Sequence, residues 1–430
     1  MNQHRMARCG VLMLAAAAVF AQDRTLTLRE AVSLALKQSP DVLLAQLDQQ
    51  QAAARVRIAQ DPFYPKLFAG SGLAYSSGFP MSIEGSAPSI VQARAVASLY
   101  DRQKKLQVEQ TREEQRGVGL GAQEKREQTV YRVVEIFLDA ERKQRLAGIA
   151  ARQVESAAKL QAVVKARVEE GRELPIELTR AELALARARQ RADGLRADVD
   201  YAEGSLAMVL GLEAGTRARP AVEDRMAPSM PESPESAVNQ ALSENREIRR
   251  LQSSLAAKNL EVKSNLSSRY PKLDLVAQYG LFAKFNNYED FFQKFQRHNG
   301  QIGVALEIPL LAGPGRSAAA SAAQADMARL QLEMNSARSR ISLEAGKSFQ
   351  DLRRAETGRQ VARLDLDLAR DTLTLLLAQL EEGRASLQQV EQARVAESEK
   401  WMVYFDAQHL VELARFRLLD RTGGLLAALQ

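Results

Sequence analysis

Cysteine is almost missing from this chain. The single one, Cys9, falls in an N-terminal segment read below as removed in processing, which leaves nothing for a disulfide framework, a catalytic thiolate or a thiolate metal site. It stands ahead of an apolar run rather than at its end, so it is not read as a lipid anchor. Histidine is scarce too: beyond residue 21 only His298 and His409 remain, with no HExxH pattern and no paired-ligand spacing. Aromatic residues make up 5% of the chain, and the one tryptophan, Trp401, reads as packing on a helix flank. After residue 21 no apolar run approaches the ~18 residues of a membrane-crossing helix, so membrane contact would have to come from strands. No Ser/His/Asp constellation and no nucleotide-binding glycine loop can be assigned. Ala312-Gly313-Pro314-Gly315-Arg316 reads as a strand-to-helix turn, and Glu381-Glu382 as part of a helical charge pattern. These absences argue against an enzyme, a cofactor and a metal.

What is present is Ala, Leu, Arg, Gln and Glu in a chain that is 26% charged, a mixture typical of long helices and coiled coils. Residues 1–21 differ: Arg5 and Arg8 precede the apolar run Val11 to Phe20, and the small Ala21 precedes Gln22-Asp23. This is the pattern of a secretory signal peptide. Without it, 57 basic residues face 53 acidic ones, interspersed in sign, which is a solvated helical surface and no nucleic-acid footprint.

The chain also says the same thing twice. Ala31-Val32-Ser33-Leu34-Ala35-Leu36 through Tyr64-Pro65-Lys66-Leu67 recurs as Ala237-Val238-Asn239-Gln240-Ala241-Leu242 through Tyr270-Pro271-Lys272-Leu273, at a constant offset of 206. Glu169-Glu170-Gly171-Arg172 recurs as Glu381-Glu382-Gly383-Arg384 at an offset of 212. Solenoid repeats have periods of roughly 20–50 residues. This far longer unit reads as two halves of one pseudo-symmetric body: a first repeat over 22–210, a linker over 211–234 rich in Gly and Pro, and a second repeat over 235–430.

Each repeat is expected to open on a helix, near 25–61 and 235–269. Thr27 and Glu30 form a capping-box pair at the first, and Pro62 stops it. Strands are expected near 65–77 and 89–100, and the clearest ones lie within 271–312. There the odd positions from Leu273 to Phe285 are apolar while Lys272, Asp274 and Gln278 intervene. Ile302, Val304, Leu306, Ile308 and Leu310 alternate with Gln301, Gly303, Ala305 and Glu307. Period two over such lengths fits a transmembrane barrel strand of about 9–11 residues. A half-buried soluble hairpin would show the same alternation. Leu273, Leu275, Tyr279, Leu281, Ile302, Val304, Leu306 and Ile308 are the expected lipid-facing set. Residues 316–382 contain no proline, which predicts a rod of roughly 100 Å at 1.5 Å per residue. The span 101–170 has the same length, softened by Gly117, Gly119 and Gly121. Leu364, Leu368 and Leu375 form one stripe, and Leu366, Leu373, Leu377 and Leu380 an opposed one, so this helix should pack neighbours on both flanks. The shorter legs 177–210 and 387–420 return after turns at Gly171 and Gly383. The loop Asn286–Asn299, with Tyr288, Phe291, Phe292 and Phe295, reads either as an interfacial girdle or lid, or as a collapsed outer loop.

In the order, doubling and spacing of these motifs, residues 25–425 resemble the TolC-type outer-membrane efflux protein family, the outer membrane factors. The resemblance rests on the doubled helix, Tyr-Pro-Lys and strand passage, two strand pairs, two glycine-centred turns, and the helix endings Leu206–Gly211 and Leu418–Gly423. It implies a mainly α fold with a small β part. Long antiparallel helical hairpins would form a periplasmic tunnel, and four transmembrane strands per subunit would contribute to a twelve-stranded barrel in a homotrimer. It further implies a passive channel of a tripartite efflux or type I secretion system, set in the outer membrane of a Gram-negative-type cell. Its partners would be a periplasmic membrane-fusion adaptor and, indirectly, an inner-membrane pump. Gly171, Arg172, Glu177, Gly383 and Arg384 would then form the adaptor-docking tip. Gln389 and Gln392 fall where the family's best-known exporter narrows its pore with aspartates. Leu380 and Ala385 replace its latching tyrosine and arginine, with Arg384 one residue away. The competing class is a soluble periplasmic coiled-coil adaptor or scaffold, although adaptors normally carry one helical hairpin together with lipoyl-like and β-barrel domains.

Overall fold

The structure, a computed structural model, describes residues 23–72, 89–213, 215–223, 225, 229–282, 296–310 and 313–429. Residues 1–22, where a signal peptide is expected, and most of the loop 286–299, with its four aromatic residues, lie outside them. Two compact units are formed, each drawing on both repeats. One gathers the chain up to residue 35 with 133–226 and 359–410; the other gathers 36–132, 227–358 and 411–430.

The helices are α1 (Leu28–Gln38), α2 (Pro40–Gln60), α3 (Arg102–Glu169), α4 (Pro175–Val209), α5 (Pro234–Glu244), α6 (Arg246–Ser267), α7 (Gly315–Glu381), α8 (Leu387–Thr422) and α9 (Leu425–Leu429). The strands are β1 (Asp23–Leu26), β2 (Lys66–Gly72), β3 (Ser89–Tyr100), β4 (Arg217–Pro220), β5 (Lys272–Phe282) and β6 (His298–Glu307). Thr27 and Glu30 form the reciprocal capping box that opens α1, at 2.9 and 3.2 Å. The expected single helix over 25–61 is two helices. Pro40 lacks an N–H and its ring collides with the preceding turn, so it ends α1 and starts α2 from the extended Ser39. The counterpart over 235–269 also breaks, without a proline. Asn245 adopts ψ 124° and its side-chain oxygen accepts from the Ile248 amide at 3.2 Å, capping α6. By contrast α3 runs unbroken through Gly117, Gly119 and Gly121.

In the unit that holds most of α2, α5 and α6, helix α6 lies antiparallel to α3. Arg246 meets Glu127 at 3.0 Å, and further along Ser264 donates to the Gln103 carbonyl at 3.2 Å. Ile248, Leu251, Ala337, Ile341 and Ala345 are buried where α6 packs on α7. Phe349, Leu352, Val411 and Leu418 form a second core with Ala237.

The same unit carries a four-stranded antiparallel sheet in the order β2-β3-β5-β6. Its register sorts the side chains by character, because directly opposed residues of antiparallel strands share a face. Leu273 opposes Leu306, Leu275 opposes Val304 and Ala277 opposes Ile302. Ala97 and Ala95 continue the last two rows across β3, Leu67 extends the Ala95 row onto β2, and Ala93 and Ala69 line up with Tyr279 on the same face. The other face gathers Lys272 opposite Glu307, Asp274 opposite Ser98, and the row Arg94, Gln278, Gln301. One face is thus wholly apolar over these rows, and the charges stand on the other.

In the second unit, α4 follows α3 as a hairpin. Lys400 of α8 reaches Asp365 of α7 at 2.6 Å, about equally far from the turn between them, so that pair is antiparallel too. Arg142 and Arg145 of α3 bind Asp406 and Gln408 of α8 at 2.9 and 3.3 Å, tying the two hairpins together. One element here was not expected: β1 pairs in parallel with β4, inside the supposed linker. Arg219 of β4 binds the buried carboxylate of Glu203 at 3.1 Å, and Arg217 meets Asp200 at 2.5 Å. Arg225 binds Glu141, which is buried on α3. The helix-breaking segment is therefore pinned rather than loose.

Candidate functional site

The two glycine turns are alike in detail. Gly171 and Gly383 have φ of 69° and 73°, a region that costs an L side chain about 1–2 kcal/mol. At each turn the next residue's N–H reaches back to the last helical turn: Arg172 to the Arg167 carbonyl at 2.8 Å, Arg384 to the Gln379 carbonyl at 2.7 Å. The glycine itself donates to Val168 or Leu380, which completes a Schellman closure in both repeats. Arg172 pairs with Glu170 and Arg384 with Glu382, both at 3.1 Å and both exposed. An alanine Cβ at either glycine would meet nothing within 4 Å, so both backbones are open to solvent in this chain.

Beyond the turns the two hairpins diverge. Glu177 of α4 binds Arg180 at 2.5 Å. Its counterpart Gln389 is engaged in a capping box: its Oε1 accepts from the Ser386 amide at 2.8 Å, and the Ser386 hydroxyl accepts from the Gln389 amide at 3.2 Å. Gln392 stays exposed and borders an open cleft of about 1290 Å³ lined by the α3–α4 and α7–α8 hairpins. Leu160 and Val164 form its apolar wall and Trp401 lies on its border, while Glu391 carries a carboxyl that burial raises above its usual range against the pull of Arg394. Sequence reasoning passed over Leu174 and Ile176, which stand exposed at the first turn. Their apolarity on a helix start was the available signal.

The expected lipid-facing residues are brought together by the register. Leu273, Leu275, Tyr279, Leu281, Ile302, Val304 and Leu306 share one face, and Ile308 is exposed just past the end of β6. Ile302 is 78% and Leu306 61% exposed, so among the described residues nothing covers that face at β6. Tyr279 at its far end hydrogen-bonds His298 at 2.7 Å. The helical stripes divide as well. Leu366 is buried, whereas Leu364, Leu368 and Leu375 remain exposed. Among the described residues no cluster of His, Cys, Asp and Glu could hold a metal, and no helix is long and apolar enough to cross a membrane.

Long helices with glycine-closed hairpins and a two-faced, open four-stranded sheet make up a fold shared with solved outer-membrane channels. Solved structures carry the same architecture. CusC, described as forming a transmembrane channel, aligns with 92% of this chain and 92% of its own at 16% identity and a TM-score of 0.77. The Campylobacter jejuni CmeC outer membrane channel aligns over 93% and 86% at 14% identity and 0.77. The Vibrio cholerae outer membrane protein VceC aligns over 92% and 96% at 15% identity and 0.74. These likenesses show the fold. Curated protein sequences provide no match. Residues 31–212 match the family model of outer membrane efflux proteins.

Proposed function

We propose that the chain is one protomer of a homotrimeric outer-membrane duct. Solutes would pass through it passively, with energy supplied by an inner-membrane pump reached through a periplasmic adaptor. The observation that carries this reading is the sheet: one apolar face, exposed at β6, and two edge strands, β2 and β6, without a partner on their outer sides among the described residues. An open edge and an exposed apolar face are both liabilities in water. Three such sheets joined edge to edge would remove the edges and turn the apolar face to lipid. The exposed stripe of Leu364, Leu368 and Leu375 supports neighbouring copies along the helices. The matching turns at Gly171 and Gly383, with Arg172, Arg384 and Glu177 beside them, are the proposed adaptor-docking surface.

Membrane extraction and mass determination in detergent test the assembly. The expected particle has three times the mass of the processed subunit; a monodisperse monomer with full strand content overturns the reading. Docking is tested with a Gly171→Trp, Gly383→Trp double variant. Export and adaptor crosslinking should be lost at normal trimer yield, and unchanged export removes the docking assignment.

A further inference from the structure

The polar face of the sheet is not uniformly charged. Near the helices it carries Lys272, Glu307, Asp274 and Lys66, two of each sign, and Lys66 is further paired with Asp61. The next row toward the strands' far end is Phe68, Arg94, Gln278 and Gln301, in continuous register across all four strands. The row after it is Gly70, Gln92, Gly280 and Asn299. Arg94 is therefore the one charge on these two rows. It is exposed and has no hydrogen-bond or ion-pair partner among the described residues. Gln278 and Gln301, the next two residues of its row, satisfy each other at 3.2 Å. Asp274 lies four residues along β5 from the Arg94 row, roughly 13 Å at strand rise. That exceeds the Debye length of about 8 Å at physiological ionic strength, so the acid does not neutralise the guanidinium. The glycines and amides of the following row carry no charge, so Arg94 is the only charged projection over these two rows.

We propose that Arg94 is the charge-selecting residue of the strand region, and that it biases the duct toward anionic solutes. The inference rests on the trimeric reading with the polar face turned inward. Three copies of Arg94 would then form a collar of guanidinium groups backed by amides. An unpaired cation that stays ionised at every accessible pH attracts anions and repels cations passing within a few ångströms. The tip residues Gln389 and Gln392 are uncharged and supply no acidic ring to oppose it. The ligand class is therefore small anions and anionic organic solutes, with multivalent cations disfavoured.

The purified trimer in planar bilayers under a potassium chloride gradient provides the test. The wild type should show a reversal potential on the chloride-selective side. Arg94→Gln should lower the chloride-to-potassium permeability ratio several-fold, Arg94→Glu should invert it, and Arg94→Lys should largely keep it. Since Arg94 is exposed and unpaired, trimer yield should not change. A wild type that inserts without conducting removes the channel reading and this inference together. Conductance whose ratio is the same in the wild type and Arg94→Glu removes this inference alone.

Discussion

The two repeats keep the same bends and different chemistry. Among the described residues, four of the five positive-φ glycines form two pairs, Gly171 with Gly383 and Gly211 with Gly423, each at an offset of 212. Side chains at that offset have drifted apart. Met208 is exposed on α4, whereas its counterpart Asp420 is a partly buried acid on α8. Leu174 precedes α4 with no side-chain cap, while Ser386 precedes α8 inside a capping box. The strands differ in bulk: β3 offers Ala93, Ala95 and Ala97 to the apolar face, and β5–β6 offer Leu273, Leu275, Val304 and Leu306. Duplication preserved the positions where the backbone must turn, and the surfaces between them were free to specialise.

The largest expected effect tests the strand contrast. Leu275→Arg and Leu306→Arg should each cost about 2–4 kcal/mol if their face meets lipid near the midplane, and changes at Lys272 or Gln278 far less. Unfolding in lipid or detergent measures this. Equal sensitivity of the two faces would mean a soluble, two-sided sheet.

The acid on α8 gives the next effect, and its sign is definite. Burial raises Asp420 from 3.8 to about 6, with Glu127 adding to the rise and Arg421 and Arg417 opposing it. The folded state then holds a proton the unfolded state has released, so stability falls as pH rises from about 4 to about 6 and stays lower above. Asp420→Asn should raise the melting temperature at pH 7, by an amount worth up to about 3 kcal/mol, and give no gain near pH 3.5. A gain independent of pH would show that the carboxyl is not ionised against its surroundings.

Among the glycines, Gly383→Ala should cost about 1–2 kcal/mol for its backbone region alone. Gly423→Ala should cost more, because its new Cβ would sit 3.0 Å from the Glu244 Cβ whereas the one at Gly383 meets nothing. Equal thermal shifts would show that the site beside Glu244 relaxes freely. The smallest pair concerns the caps. Ser386→Ala should lose about 1 kcal/mol and Leu174→Ser should gain a comparable amount, read by chemical denaturation; a loss in both would mean Leu174 is held by contacts that matter more than capping.

Much of the fold could be read in advance because its signals are local. Long helices follow from proline-free, helix-favouring runs, turns from Gly171 and Gly383, and strands from period-two alternation at 272–282 and 298–307. The misreadings have particular causes. Pro40 was passed over within an apolar helical run, and the Asn245 break looks helical until the side chain caps the next amide. The candidate site was legible in its backbone and much less so in its side chains. Gln389 reads as a free polar residue in the sequence, yet Ser386 occupies its carbonyl oxygen. Arg94 drew no notice because a lone arginine in an alanine-rich strand has no pattern of its own.

The sequence by itself determined what depends on near neighbours along the chain: the duplication, the glycine turns, the two long helices, and the face to which each strand residue belongs. Only the tertiary structure decided what depends on contacts across the chain. The parallel pairing of β1 with β4 joins four-residue segments some 190 positions apart, too short to announce themselves. Of the two opposed stripes on α7, burial chose Leu366 and left Leu364 and Leu368 uncovered. And the register of four strands, set by pairings no single strand encodes, collected Leu67, Leu273, Leu275, Val304 and Leu306 on one face and left Arg94 the one charge on its two rows of the other.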